Sequence, residues 1–109
     1  MESSHWETVD RLVGRLDEAA ALPPGEQRLM RILKLSEEVG EVAAAVIGAT
    51  GQNPRKGVTH SWDDVRSELC DVMITAMVAL RTLTPDAEAV FAERLRFVDA
   101  RAAAAGSTP

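Results

Sequence analysis

The stretch LKLSEEVGEVAAAV, residues 33–46, repeats apolar residues at three- and four-residue spacing, a pattern typical of a half-buried α-helix. It also places Glu37, Glu38 and Glu41 beside the apolar stripe, where carboxylates are costly to desolvate. Because each residue of a helix turns about 100°, Glu38 and Glu41 project together from one edge of the stripe. Glu37 points away from Glu38, beyond Glu41. Acidic groups at the edge of a buried face call for a partner of opposite charge.

A second helical stretch repeats this arrangement. In SELCDV, residues 67–72, Glu68 and Asp71 are three apart and share a helix face. If the two helices pack antiparallel, Glu38, Glu41, Glu68 and Asp71 converge and repel one another unless a cation lies between them. Oxygen-only ligands suit Mg²⁺, with Mn²⁺ as an alternative, and the lack of histidine on either predicted helix argues against zinc.

The rest of the chain predicts an all-α, four-helix bundle. A proline pair with glycine, a glycine-rich loop and a Thr-Pro step break the helical pattern, and Ser61 with Asp64 is an approximate capping box. We expect one domain over residues 1–105 and a disordered tail at 106–109. The third helix is apolar on nearly every side, so dimerisation is the economical way to complete the bundle. The predicted helices cover about residues 4–21, 26–49, 62–83 and 85–104.

Composition narrows the classes of partner. The 109 residues are 46% apolar and 27% charged with a net charge of -5, which is ordinary for a soluble domain and unfavourable for binding a nucleic acid polymer. Cys70 is the single cysteine, so no disulfide forms within the chain. The chain lacks a signal-peptide pattern at its start and any apolar run of about 20 residues. We expect a cytoplasmic protein without a membrane partner.

The two acidic motifs together resemble the signature of MazG-like nucleotide pyrophosphohydrolases, the all-α NTP pyrophosphatase superfamily. The pattern is Glu37-Glu38-x-x-Glu41, then 26 intervening residues, then Glu68-x-x-Asp71. The resemblance covers roughly residues 29–83. A departure from it is Ser67, where many relatives carry another acidic residue.

The resemblance implies a Mg²⁺-dependent enzyme that cleaves (d)NTP to (d)NMP and pyrophosphate, in the manner of house-cleaning hydrolases. It implies Glu38, Glu41, Glu68 and Asp71 as metal ligands, and Glu37 as an accessory catalytic carboxylate that orients water or holds a ligand. Glu38 belongs to both the metal and the catalytic set. Relatives assemble as homodimers or homotetramers, with base pockets commonly completed by a neighbouring subunit.

Other candidate residues would contact the nucleotide substrate. In GQNPRKG, residues 51–57, Arg55 and Lys56 could reach phosphates and Asn53 the base or sugar, although such a loop also fits a surface turn. Trp62 could stack on a base. Lys34 either contacts substrate or pairs, like Arg31, with the acidic edge.

Two other functions fit the same residues. One is a metal-dependent nucleotide sensor that binds without turnover, and the other is a structural helical oligomerisation module with a solvated acidic edge. Hydrolysis separates the enzyme from both, and nucleotide binding separates the sensor from the module.

Overall fold

Between residues 4 and 106 the chain folds into four helices joined by short connections and one longer loop. The computed structural model describes residues 4–106, and within that range it contains no β-strand. The all-α prediction is therefore confirmed. Gly106, assigned to the tail by the sequence, belongs to the last helix, and residues 107–109 lie outside the described residues. The helices are α1 His5–Ala19, α2 Pro24–Thr50, α3 Trp62–Leu83 and α4 Ala87–Gly106.

Side-chain caps mark the starts of α1 and α3. The Ser4 hydroxyl accepts the Glu7 N–H at 3.1 Å at the start of α1. Ser61 and Asp64 form the expected reciprocal capping box at the start of α3. The last helix begins at Ala87, two residues later than Pro85 suggests, because residues 85 and 86 form a turn. In that turn the Asp86 N–H donates to the Thr84 hydroxyl at 3.1 Å.

Helices α2 and α3 pack antiparallel and form the largest interhelical contact. Arg31, early in α2, donates to the Thr82 hydroxyl near the end of α3. At the other end, the Thr59 N–H just before α3 donates to the Gly48 carbonyl of α2 at 3.0 Å. This direction brings the two acidic motifs to the same level of the bundle.

Helix α1 is held against this pair by charged side chains as well as apolar ones. The Arg31 side chain, only 12% exposed, donates to Asp17 at 2.8 Å and to Gln27 at 3.0 Å. Arg81 on α3 pairs with Asp10 on α1 at 2.6 Å. Arg31 therefore joins three helices and does not neutralise the acidic edge.

The buried core is small for a chain of this length. Its main cluster is Val9, Val13 and Val78, packed against Trp6, Leu12 and Met77. The Cα radius of gyration is 17.7 Å, whereas a compact domain of this length has about 13 Å. The single chain is thus elongated, at 55 × 46 × 33 Å.

Much of the apolar surface expected in the core is exposed. The apolar spacing of α2 also predicts Leu29, Ile32 and Val39 on its core face. Leu29 is nevertheless 62% exposed, and the other two also face solvent. The reason is that α3 covers one side of α2, where the small residues Ala45 and Gly48 are the buried ones. On α4, Ala87 is fully buried, but Phe97 is 52% exposed.

Helix α4 leaves the bundle after its first turns. Besides its contact with α3, Phe91 meets Trp6 of α1 with ring centroids 6.2 Å apart. Further along, Phe97 is flanked by the guanidinium groups of Arg94 and Arg101 at 4.8 and 5.5 Å. None of the helices within residues 4–106 is both long and apolar enough to cross a bilayer.

Candidate metal centre

Three carboxylates from the two motif helices meet between α2 and α3. One oxygen each from Glu38, Glu41 and Glu68 lies within 4.8 Å of the other two. Glu38 and Glu41 are one turn apart on α2, and the antiparallel packing presents Glu68 from α3. The side chain of Glu38 is 12% exposed, whereas Glu41 is exposed, so this cluster lies at the edge of the helix interface.

The surroundings of Glu68 are unfavourable for a negative charge. Its Oε2 is buried and has no hydrogen-bond partner among residues 4–106. Burial, followed by the charge of Glu41, holds the pKa of the Glu68 carboxyl above its usual range, and Asp71 and Glu38 add to the effect. A buried oxygen without a donor beside like charges is an arrangement that a cation would stabilise.

Asp71 stands apart from the three glutamates. It is exposed and is not one of the carboxylates that approach within 4.8 Å. Its charge still contributes to the raised pKa of Glu68 one turn earlier on α3. Asp71 therefore borders the cluster on its solvent side but does not join the three glutamates, contrary to the predicted convergence of four carboxylates.

Lys34 and Glu37 form the outer edge of the site. The Lys34 ammonium lies 3.3 Å from Glu37 and 3.6 Å from Glu38, and Glu37, the stronger influence, raises the pKa of Lys34. The Glu37 side chain is 65% exposed and lies outside the group of three. The pairing predicted as the alternative role of Lys34 is thus present.

The loop between the motif helices is an ordered turn. The Asn53 side-chain oxygen accepts the Arg55 N–H at 3.2 Å. The backbone carbonyl of Asn53 accepts the N–H groups of Lys56 and Gly57. Asn53 is therefore engaged in the turn. The side chains of Arg55 and Lys56 are exposed and make no ion pair with any residue between 4 and 106. Trp62 follows the loop at the first position of α3 and is largely exposed.

Gly48 is a structural determinant of this region that the sequence analysis missed. It is buried beneath the end of the loop, and a Cβ there would overlap the His60 ring and lie 2.5 Å from the Thr59 hydroxyl. The Thr59 hydroxyl and His60 Nδ1 are themselves 2.9 Å apart. Ala45 and Gly48, small residues three apart, were the available signal for this close approach.

The three glutamates fit a hard divalent cation because their donors are all oxygen and one buried oxygen lacks a partner. Comparisons of the chain with protein-family models, curated proteins and solved structures find no match. Any assignment of function therefore rests on the motif and on this geometry.

Proposed function

We propose that this protein is a Mg²⁺-dependent nucleoside triphosphate pyrophosphohydrolase of MazG-like type, which releases nucleoside monophosphate and pyrophosphate. The observation that carries the proposal is the meeting of Glu38, Glu41 and Glu68 within 4.8 Å, with Glu68 Oε2 buried and without a donor from residues 4–106. An acidic edge that only solvates a bundle has no reason to bury such an oxygen.

In this proposal the three glutamates hold the cation, and Asp71 completes the set from the solvent side. Bound there, Mg²⁺ or Mn²⁺ would neutralise charge on the phosphates of the substrate and polarise the anhydride that is cleaved. Glu37 remains accessible to solvent, so we assign it to orient the attacking water. Lys34 would partly neutralise the charge of Glu37 and Glu38 through its two ion pairs.

The substrate would extend from this centre towards the loop. Nine residues separate Glu41 from the end of α2, about 14 Å along the helix axis. Arg55 and Lys56 would contact the distal phosphates, Asn53 would hold the loop in shape, and Trp62 would offer its exposed face to the base.

The test is product analysis after incubation with Mg²⁺ and a panel of NTPs and dNTPs. Glu41→Gln is the informative variant, because Glu41 forms no ion pair within residues 4–106 and the change leaves the Lys34 pairs intact. Glu93→Gln on α4 is the matched control. We expect monophosphate and pyrophosphate from the parent and the control, and little or none from Glu41→Gln. Diphosphate and phosphate, or equal turnover in all three, would refute the proposal.

The assembly we propose is at least a homodimer. The single chain leaves Leu29, Leu33, Leu95 and Phe97 largely exposed, and a second copy with the same faces would cover them. Light scattering should give a mass of at least twice 11.8 kDa. Leu33→Glu should reduce this mass towards that of one chain if α2 contributes to the interface, whereas a parent mass of 11.8 kDa would exclude the dimer. The cytoplasm, which is reducing, suits the exposed free thiol of Cys70.

A further inference from the structure

A pocket lined mainly by polar residues lies at the opposite end of α2 from the loop. It has a volume of about 240 Å³ and forms where the end of α1, the start of α2 and the end of α3 meet. Three arginines line it, Arg28, Arg31 and Arg81, together with Asp17, Gln27 and Thr82. Arg28 precedes Glu38 by ten residues, about 15 Å along α2, so this pocket is separate from the carboxylate cluster.

The three guanidinium groups differ in how many of their hydrogen-bond donors already have a partner. Arg31 donates hydrogen bonds to Asp17, Gln27 and Thr82, which hold its side chain in place in the pocket lining. Arg81 binds Asp10 through Nε, and its two terminal nitrogens have no partner among residues 4–106. Arg28 is exposed and makes no hydrogen bond or ion pair within the same range. Arg28 and Arg81 therefore both have N–H donors at this pocket without a partner among residues 4–106.

The charge and size of the pocket indicate the class of ligand. Three guanidinium groups and one carboxylate, Asp17, line the pocket, and a second carboxylate, Asp10, pairs with Arg81 from outside the lining. This leaves a local excess of positive charge in a chain of net charge -5. Planar guanidinium forks match the oxygens of phosphate and bind them in pairs. The volume is below the 300–1,000 Å³ or so of sites for drug-sized ligands, so a small ion or a single phosphate group fits better than a whole nucleotide.

We propose that Arg28 and Arg81, supported by Arg31, bind a phosphate group between α2 and α3. The group is inorganic phosphate or a small phosphomonoester, and its binding needs neither the carboxylate cluster nor a divalent cation. The proposal is therefore independent of the proposed enzyme activity. Because the pocket joins three helices, an occupied site also stabilises the end of the bundle.

Calorimetric titration in the presence of a chelator, at fixed ionic strength, tests this proposal. The ligands are inorganic phosphate and glycerol phosphate, and the tighter of the two identifies the source of the phosphate group. Arg28→Gln should weaken binding about tenfold or more, because it removes a charged hydrogen-bond donor to the phosphate. The change should not unfold the chain, because Arg28 is exposed and has no partner within residues 4–106. Arg96→Gln on α4 changes the net charge equally and should bind like the parent.

Two outcomes would overturn the proposal. The first is no saturable binding of either ligand to the parent protein. The second is binding that Arg28→Gln leaves unchanged but Arg55→Gln abolishes, which would place the phosphate at the loop between the motif helices.

Discussion

Glu41 on α2 and Glu68 on α3 approach each other across the interface of the two longest helices, with carboxylate oxygens within 4.8 Å. Neither has a basic residue as an ion-pair partner among residues 4–106, since Lys34 pairs with Glu37 and Glu38 instead. Without a cation, the pair is relieved only by a proton, which agrees with the raised pKa of Glu68. The pair therefore destabilises the bundle locally, and removing one of its two charges should change the stability measurably.

Divalent cations should stabilise the parent protein through this pair. An ion that binds the folded chain alone adds about 2.7 kcal/mol to the free energy of unfolding at 100 times its dissociation constant. Thermal unfolding with a chelator, with Mg²⁺ and with Mn²⁺ measures the effect.

Glu68→Gln should remove this stabilisation, while in chelator it should melt no lower than the parent because one of the repelling charges is gone. Glu93→Gln should follow the parent in both conditions. An equal cation-induced rise in all three proteins would place the ion elsewhere.

The cation-free protein should also lose stability as the pH rises through the folded-state pKa of Glu68. That pKa lies above its reference value of 4.5, so the folded chain holds a proton that the unfolded chain has released. The contribution is fully present below about 4.5 and declines with increasing pH. The free energy of urea unfolding of the parent, minus that of Glu68→Gln, measured in chelator at each pH, isolates the contribution of Glu68. A difference that stays constant across this range would contradict the assigned surroundings of Glu68.

Two glycines of α2 should respond oppositely to alanine. Apart from its chain neighbours and the nearby backbone of its own helix, no described atom lies within 4 Å of a Cβ added at Gly40. Gly40→Ala should therefore stabilise the helix by about 0.5–1 kcal/mol. Gly48→Ala should be destabilising, because its methyl group overlaps His60 and Thr59 and forces the end of the loop away from α2. Chemical denaturation ranks the two variants against the parent. If Gly48→Ala matched Gly40→Ala, the close approach of the loop would be disproved.

Arg31→Lys should cost about 1–3 kcal/mol in unfolding free energy, although it keeps the charge. A lysine ammonium cannot reach Thr82, Asp17 and Gln27 in the geometry of the guanidinium fork, and the side chain is only 12% exposed. The control is Arg66→Lys, at an exposed pair with Asp63, which should cost less than about 1 kcal/mol. Equal losses of unfolding free energy in the two variants would show that the three hydrogen bonds of Arg31 do not stabilise the bundle more than an exposed ion pair does.

The helices and their caps were predictable because they depend on local patterns. Ser61 and Asp64 announce a helix start through their spacing alone, and the three-residue spacing of the acidic pairs places each pair on one face. Those faces, with antiparallel packing, predict the convergence of Glu38, Glu41, Glu68 and Asp71. The three glutamates meet, whereas Asp71 does not join them. These features required no knowledge of distant contacts.

Other features depend on contacts that the spacing of residues does not reveal. Arg31 lies one turn from Lys34 and was expected at the acidic edge, but it turns to Asp17 on another helix. The role of Gly48 depends on a loop that returns eleven residues later. Apolar spacing on α2 predicts a buried face but does not reveal which side of the helix a neighbouring helix covers. Leu29 and Val39 follow that spacing and are nevertheless exposed in the single chain.

The slight attachment of α4 determines what amide exchange would report along this chain. Beyond Phe91 the helix runs on with its aromatic and aliphatic side chains uncovered, so its distal amides can open without unfolding α1 to α3. In a dilute, monomeric sample they should exchange early, and on association they should become slow if this arm is covered. Protection of residues 95–105 would then measure how much of the chain is assembled, while protection around Val13 and Val78 would measure how much of it is folded.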